Sequence, residues 1–338
     1  MIFTQRTSPH ISASTDVSHI MRQVLYALLP GTVLLVWYFG WGMLSNLLLA
    51  VLFAEGFEWG MLKLRNRPIR PFLSDYSAVV TAWLLAVALP AFAPWWLIAV
   101  AMLFAIVIAK HLYGGLGYNP FNPAMVGYAA VLVSYPVQMT GWPAPQDFSF
   151  SHIGLMQAVQ QVFLGGTTGW DALTGATVLD TVKVNLHLHK ALADIYPTKP
   201  FGLLGGKAWE WVNVAWLVGG LWLFYQRVIA WQLPVAFLGS LALMATVFWV
   251  IDSAHYASAL FHLFSGAAML GAFFIVTDPV TASTTPRGKL IYAAFIGVLV
   301  YVIRTWGSYP DAVAFSVIIM NMVVPLVDYY TQPRVYGT

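Results

Sequence analysis

The sequence predicts an all-α, polytopic membrane protein with about ten transmembrane helices, and three observations predict it. First, 59% of the 338 residues are hydrophobic, 15% aromatic and only 9% charged, with a mean hydropathy of +0.73. A soluble globule carries roughly 45–50% apolar and about 25% charged residues, so that class is excluded. A disordered chain is excluded too, because it needs low hydrophobicity and high net charge. Second, the apolar residues gather in runs close to the roughly 20 residues that cross a bilayer as a helix. Third, the cationic residues fall mostly between alternate runs, as they do when one set of loops faces the cytoplasm.

The runs fall near 24–41, 42–60, 75–92, 94–112 and 122–138, then 208–226, 228–250, 257–276, 288–304 and 311–330. The fifth and ninth are short or flanked by polar residues. Pro30, Pro136, Pro234 and Pro325 lie in or beside these runs, and membrane helices tolerate proline where neighbours satisfy the freed backbone. Residues 1–18 are polar and the first run ends without a small-residue cleavage site, so no cleavable leader is expected. With both termini cytoplasmic, Arg6, Arg22, Lys63, Arg65, Arg67, Arg70, Lys110, Arg227, Arg287, Lys289 and Arg334 lie inside. The short outer loops then hold at most Arg304, while Lys183, Lys190, Lys199 and Lys207 share one long outer segment. The formal charge of +3 therefore speaks of orientation and not of nucleic acid.

That segment divides the chain into a five-span half (1–138), an outer loop (139–207) and a second five-span half (208–338). Five is odd, so the second half enters the membrane with opposite polarity, as in a 5+5 inverted repeat of urea-transporter-like architecture. Two proline-bearing polar breaks, NPFNPA at 119–124 and TDPVTAS at 277–283, echo each other at the inner face.

Chemistry has few places to reside. With no cysteine, the chain supplies neither a disulfide nor thiolate ligands for an iron–sulfur cluster. No G-x-G-x-x-G lies between a strand and a helix, so direct nicotinamide chemistry is not expected. Of the eight histidines, His111 sits at the inner end of the fourth run, His255 and His262 near the outer face, and His187 and His189 in the outer loop. No pair at equal depth suggests a haem or a metal. Glu55 and Glu58, three apart near the inner end of the second run, are either interfacial partners of Lys63 and Arg65 or part of an ion path. Asp328 is read as interfacial, and the Trp, Tyr and Phe excess as membrane-interface anchoring. Thr174-Gly175-Ala176-Thr177 in the outer loop reads by itself as a turn entering a short helix, with Thr174 or Thr177 as its cap.

Four blocks together are more specific: SDYSAVVTAWLLAVALP (74–90), HLYGGLGYNPFNPAMVGYA (111–129), DALTGATVLD (171–180) and TDPVTASTTPRGK (277–289). In that order, along essentially the whole chain, they resemble the RnfD family, the D subunits of the Rnf-type ion-translocating ferredoxin:NAD⁺ oxidoreductases. More distantly they resemble the B subunit of the sodium-pumping NADH:quinone oxidoreductase. The resemblance implies an FMN joined through its phosphate to Thr177, with Thr174, Gly175 and Ala176 as its binding neighbours. Asp171 and Asp180 would then be placed to position a divalent cation during attachment. It further implies a non-covalent riboflavin near the cytoplasmic side, at Asn119, Asn122 and Asp278, whose side chains can meet an isoalloxazine edge or ribityl hydroxyls. The implied setting is a redox-driven Na⁺ or H⁺ pump in the bacterial inner membrane, with the flavinylated loop periplasmic. Its partners would be a flavin-bearing subunit facing the periplasm and iron–sulfur subunits that hold the nucleotide and ferredoxin sites. The rival expectations are a solute channel or permease with a urea-transporter-like fold, and a structural anchor.

Overall fold

The computed structural model describes residues 16–145, 154–165, 174–198, 200–309 and 312–333. Arg6, Asp171, Lys199 and Arg334 lie outside the described residues. Helices dominate, and two isolated antiparallel bridges, Pro143–Thr174 and Phe201–Gly206, are the only β pairings among the described residues. Five helical stretches among them are long and apolar enough to cross a membrane: Val17–Phe39, Ile69–Ala88, Gln232–Ile251, Pro286–Trp306 and Val313–Thr331.

The first half begins with α1 (Val17–Phe39) and α2 (Gly42–Leu64). α1 starts seven residues before the apolar run at 24, because its first two turns are polar yet still helical. The third run is split into α3 (Ile69–Leu73) and α4 (Ser77–Ala88). Tyr76 takes a left-handed φ of 61° at the break, and Asp75 Oδ1 accepts from Ser77 N (2.7 Å) and Ser77 Oγ (2.6 Å). α5 (Trp95–Met102) widens into a π-helix over Leu103–His111. The connection that follows turns on Gly114, Gly115 and Gly117, whose φ of 134°, 103° and 89° a side chain would oppose. α6 (Pro123–Ser134) is capped by Asn122, with Pro123 preset at its first position. The fifth run breaks at Tyr135 because Pro136 cannot continue the ladder, and α7 (Pro136–Thr140) starts there.

The segment between the halves holds α8 (Leu155–Leu164), α9 (Val178–His187) and α10 (Leu192–Ile195). The second half comprises α11 (Lys207–Tyr225), α12 (Gln232–Ile251), α13 (Ala259–Phe264) and α14 (Ala268–Leu270), the last passing into a π-helix over Gly271–Ile275. α15 (Pro286–Trp306) and α16 (Val313–Thr331) close it. α15 is capped by Thr285 ahead of Pro286, the same cap-then-proline arrangement as Asn122–Pro123.

Packing within the two halves follows one scheme. α2 lies on α4 and α5, α5 on α6, and α1 on α4; α12 lies on α13 and α15, α15 on α16, and α11 on α14. Across the halves α1 packs on α11 and α6 on α16. The α1–α11 crossing is close because glycines make it so. A Cβ at Gly31 would enter the Trp216 indole and one at Gly219 would strike the Ala27 carbonyl oxygen, while one at Gly220 would strike the Phe273 ring of the neighbouring π-helix. Small residues at such crossings let helices approach in lipid, where no hydrophobic effect drives them together. Most buried apolar residues form one cluster running through both halves; a second, smaller one (Val178, Leu179, Val182, Leu192, Ile195, Ala257, Phe261) seats α9 and α10.

Candidate functional site

Thr177 is the N-cap of α9, so the turn-and-cap reading of its motif describes its local geometry. Its Oγ1 accepts from Asp180 N (3.2 Å) and donates to Asp180 Oδ2 (2.6 Å). The side chain is half-buried and Ala176 is exposed. The strand of chain leading in is held by the Pro143–Thr174 bridge and by Gly175 N donating to Trp142 O (2.9 Å). Trp142 in turn meets Phe39 and Trp209 edge-on, with ring centroids 5.8 and 5.0 Å away. Val178 and Leu179 then bury the first turn in the smaller core cluster. A Cβ on Gly175 would meet only ordinary contact with Ala144, so packing does not demand glycine there.

This hydroxyl fits a phosphoester. It stands at the N-terminus of a ten-residue helix, where free backbone N–H groups and the helix dipole favour an anion. Asp180 opposes a phosphate by charge and would have to leave Thr177. Lys183, one turn on, donates to Tyr309 O (2.9 Å); burial pushes its pKa down, and Asp180 offsets part of that shift.

Asn119, Asn122 and Asp278 come together, although 156 positions separate the last two. Asn122 Nδ2 donates to Asp278 Oδ2 (3.3 Å), which also accepts from Thr281 Oγ1 (3.0 Å); Oδ1 accepts from Val280 N (3.0 Å). Asn122 Oδ1 meanwhile caps α6 by accepting from Met125 N. All three residues line one cavity of about 130 Å³, together with Ser77, Lys110 and Phe274. Both π-helical stretches end at its margin, and such departures from α geometry recur at functional sites. Asn119 donates to Phe121 O (3.1 Å), but its buried Oδ1 has no partner. The polar atoms thus suit a flavin edge, while the enclosed volume falls short of the roughly 300 Å³ or more of a typical ligand site. A whole flavin requires the walls to part.

Glu55 and Glu58 have separate fates: Glu55 is exposed and Glu58 is 1% exposed. The pairing of Glu58 with Lys63 or Arg65 is corrected by the structure. Lys110 Nζ donates to Glu58 Oε2 (2.8 Å) and to Ser77 Oγ (2.9 Å), and His111 Nε2 lies 3.2 Å from the same carboxylate oxygen without a hydrogen-bond angle. Lys63 instead stands over the Trp59 ring, 5.0 Å from its centroid. Lys110 and Ser77 are themselves part of the cavity wall, with Glu58 bound to Lys110 behind it. Lys110, counted from sequence among the loop cations, and Arg304 are both buried side chains. Asp328 binds Ser283 Oγ (2.5 Å), Thr284 N (3.0 Å) and Thr284 Oγ1 (2.9 Å), tying the second polar break to α16.

Sequence reading missed Ser77, Lys110 and a second pocket, of about 250 Å³, beside α9. That pocket gathers His187, His255 and His262 with Lys183, Tyr301 and Arg304. At its rim His255 Nδ1 lies 2.7 Å from Asp252 Oδ2, a hydrogen bond that holds the Asp252 carboxyl below its usual pKa. The available signal was the presence of ionisable residues inside apolar runs, which are costly in a membrane and so mark function. Among the described residues no group of three or more His, Asp or Glu side chains is arranged to hold a metal ion.

The model of a family described as the NQR2, RnfD, RnfE family matches residues 4–337. The D subunit of the ion-translocating oxidoreductase complex of Citrobacter koseri is 49% identical over 349 aligned positions, covering 100% of this chain and 99% of the relative. The proteins of the same description from Escherichia fergusonii and Escherichia coli are 50% and 48% identical, again over 100% of this chain and 99% of theirs.

Proposed function

The chain belongs to the NQR2, RnfD, RnfE family and is a subunit of an ion-translocating oxidoreductase complex; we propose that within that complex it carries electrons on an FMN esterified to Thr177. The observation that carries this reading is the Thr177 hydroxyl itself, half-exposed at a helix N-terminus and already bonded to the Asp180 carboxylate at 2.6 Å. When bound, the FMN supplies one-electron redox chemistry, which no side chain of this cysteine-free protein offers. The chain's own residues do the rest. Asp180 accepts the hydroxyl proton of the unmodified Thr177; once the ester had formed, the N–H groups at the start of α9 would favour the phosphate, and Thr174 and Gly175 fix the approach through the Pro143 bridge and Trp142 O. Asp180, and Asp171 beyond the described residues, would hold a divalent cation while the ester forms.

The reading includes ten spans arranged as a 5+5 inverted repeat with 139–207 as a periplasmic loop and both termini cytoplasmic. The matched packing of α1, α2, α4, α5 and α6 with α11, α12, α13–α14, α15 and α16 supports it. A riboflavin at Asn119, Asn122 and Asp278 belongs to the same proposal, on their convergence at one cavity, which must open before a flavin can enter. Glu58 is proposed as the ion-path residue, coupling flavin reduction to Na⁺ or H⁺ movement, while Glu55, at the surface, would serve at most as its approach. The electron partners are a flavin-bearing subunit on the outer side and iron–sulfur subunits, in the bacterial inner membrane.

The experiment is direct. After denaturing electrophoresis of the purified complex, the band of this chain is expected to fluoresce under ultraviolet light. Thr177→Ala is expected to abolish that signal and Thr174→Ala to retain it. A dark parent band would overturn the FMN reading and leave a structural role within the complex as the better one.

A further inference from the structure

The pocket beside α9 is one-sided in charge. Lys183, Arg304, His187, His255 and His262 line it, and among the described residues no carboxylate does. Asp252, at the rim, is bound to His255. Two buried polar atoms in its wall have no protein partner, His262 Nδ1 and Tyr301 Oη, on side chains 6% and 0% exposed. Their rings pack together, with centroids 5.1 Å apart. Buried polar atoms left unbonded cost stability, so two of them on one cavity wall mark a place where a ligand supplies the bonds. Arg304 donates to His262 O (2.7 Å) and Ser265 O (3.2 Å), and these carbonyls hold the guanidinium in place without cancelling its charge. Lys183 spends one of its three N–H groups on Tyr309 O (2.9 Å). The rest of the pocket is apolar and lies where two long helices end. α12 and α15 are both long and apolar enough to cross a membrane, and the pocket opens between the residues that follow α12 and the last turns of α15. Trp306, half exposed, packs on Phe248 of α12 with ring centroids 5.0 Å apart, and α12 ends in Val250 and Ile251, 72% and 70% exposed. Tryptophan at the end of a spanning helix sits at the level of the lipid headgroups.

We propose that this pocket binds the phosphate of a membrane phospholipid. His262, Tyr301 and Lys183 donate to the phosphate oxygens, Arg304 adds a second fixed positive charge, and the acyl chains run past Trp306 along the exposed apolar end of α12. An anion suits the pocket better than a neutral headgroup, because cations in a partly desolvated site attract it far more strongly than cations in water would. A lipid suits it better than a free anion. The aromatic, apolar mouth offers nothing to inorganic phosphate, whereas it can cover the glycerol and first methylenes of a phospholipid. The site is independent of Thr177, and a lipid held there would brace α9 against the ends of α12 and α15.

The test uses the intact complex, purified in detergent, and phosphatidylglycerol with a photoreactive diazirine at the start of one acyl chain. After illumination, label is expected on the peptides of this chain that cover 247–262 and 301–309, and unlabelled phosphatidylglycerol is expected to compete for it. Lys183→Met and, separately, Tyr301→Phe are each expected to lower the labelling about tenfold, the weight of one hydrogen bond to a charged group. Lys183→Arg is expected to keep it. Lys190→Met, which removes an exposed cation three residues past the end of α9, is expected to leave it unchanged. Tyr301→Phe deletes a hydroxyl that bonds nothing in the protein, so the fold is expected to survive it and its lost label reports binding. Label that falls elsewhere, or that Lys183→Met and Lys190→Met reduce alike, would overturn the site. Full displacement by inorganic phosphate would overturn the lipid as its occupant.

Discussion

Replacing Lys110 with methionine is expected to destabilise the protein by about 3–5 kcal/mol, the cost of leaving a buried charge without its partner. Lys110 and Glu58 are 2% and 1% exposed, and the 2.8 Å contact between them joins helices 52 positions apart in sequence. Without the ammonium, the Glu58 carboxylate keeps only His111, whose Nε2 makes no hydrogen bond to it. Ser77 Oγ loses the donor that aligns it with the cavity. Lipid offers no water to re-solvate the charge. The pair behaves differently from its parts. Changing Glu58 to leucine together with Lys110 to methionine removes both charges, and a well-packed apolar pair is often as stable as the ions it replaces. Unfolding in detergent, followed by helical circular dichroism, should therefore show the double variant more stable than either single one. Strictly additive losses would mean that the two side chains do not depend on each other. The double variant also separates stability from function, because a folded protein without Glu58 is expected to lose ion movement if that carboxylate lies on the path.

The second large effect concerns the α1–α11 crossing. Gly219→Ala places a methyl group against the carbonyl oxygen of Ala27, with the Phe274 ring 3.3 Å away on the other side. Backbone does not rotate out of the way as a side chain would, so the helices must separate. The expected cost is about 1–3 kcal/mol for the alanine, and leucine is expected to prevent recovery of folded protein. Gly239→Ala is the matched control: nothing lies within 4 Å of the added Cβ, so it is expected to be neutral or stabilising by about 0.4–1 kcal/mol. Equal melting behaviour of the two alanine variants would refute the close crossing.

Helix placement was largely legible because hydropathy acts locally. Each apolar run falls on a helix or on a helix interrupted within it, and Asn122–Pro123 and Thr285–Pro286 announce their helix starts by capping chemistry alone. Polar helical turns were not legible this way, and so α1 begins at Val17, earlier than its apolar run. Neither π-helical stretch could be read, since no residue pattern in LFAIVIAKH or GAFFI distinguishes i→i+5 bonding from ordinary helix. Partners across the fold were the least accessible. Glu58 was readable as an ionisable residue in an apolar run, but its helical phase says which way it faces and not that Lys110 waits there. The Asn122–Asp278 contact was foreshadowed by the echo of two proline-bearing breaks and by the family resemblance that implied one shared site for both residues, and by no local pattern. The pocket beside α9 joins that helix, the 255–262 stretch and α15, and no local signal in any of these announces the others.

One determination bears on the whole account: proteolysis of the protein taken from its native complex, with mass fragmentation of the peptide that spans Thr174 to Lys183. The expected result is that this peptide carries one added FMN, with the fragment ions assigning it to the Thr177 side chain. An unmodified Thr177 in an otherwise active complex, or the same flavin attached to any other hydroxyl of this chain, would contradict it.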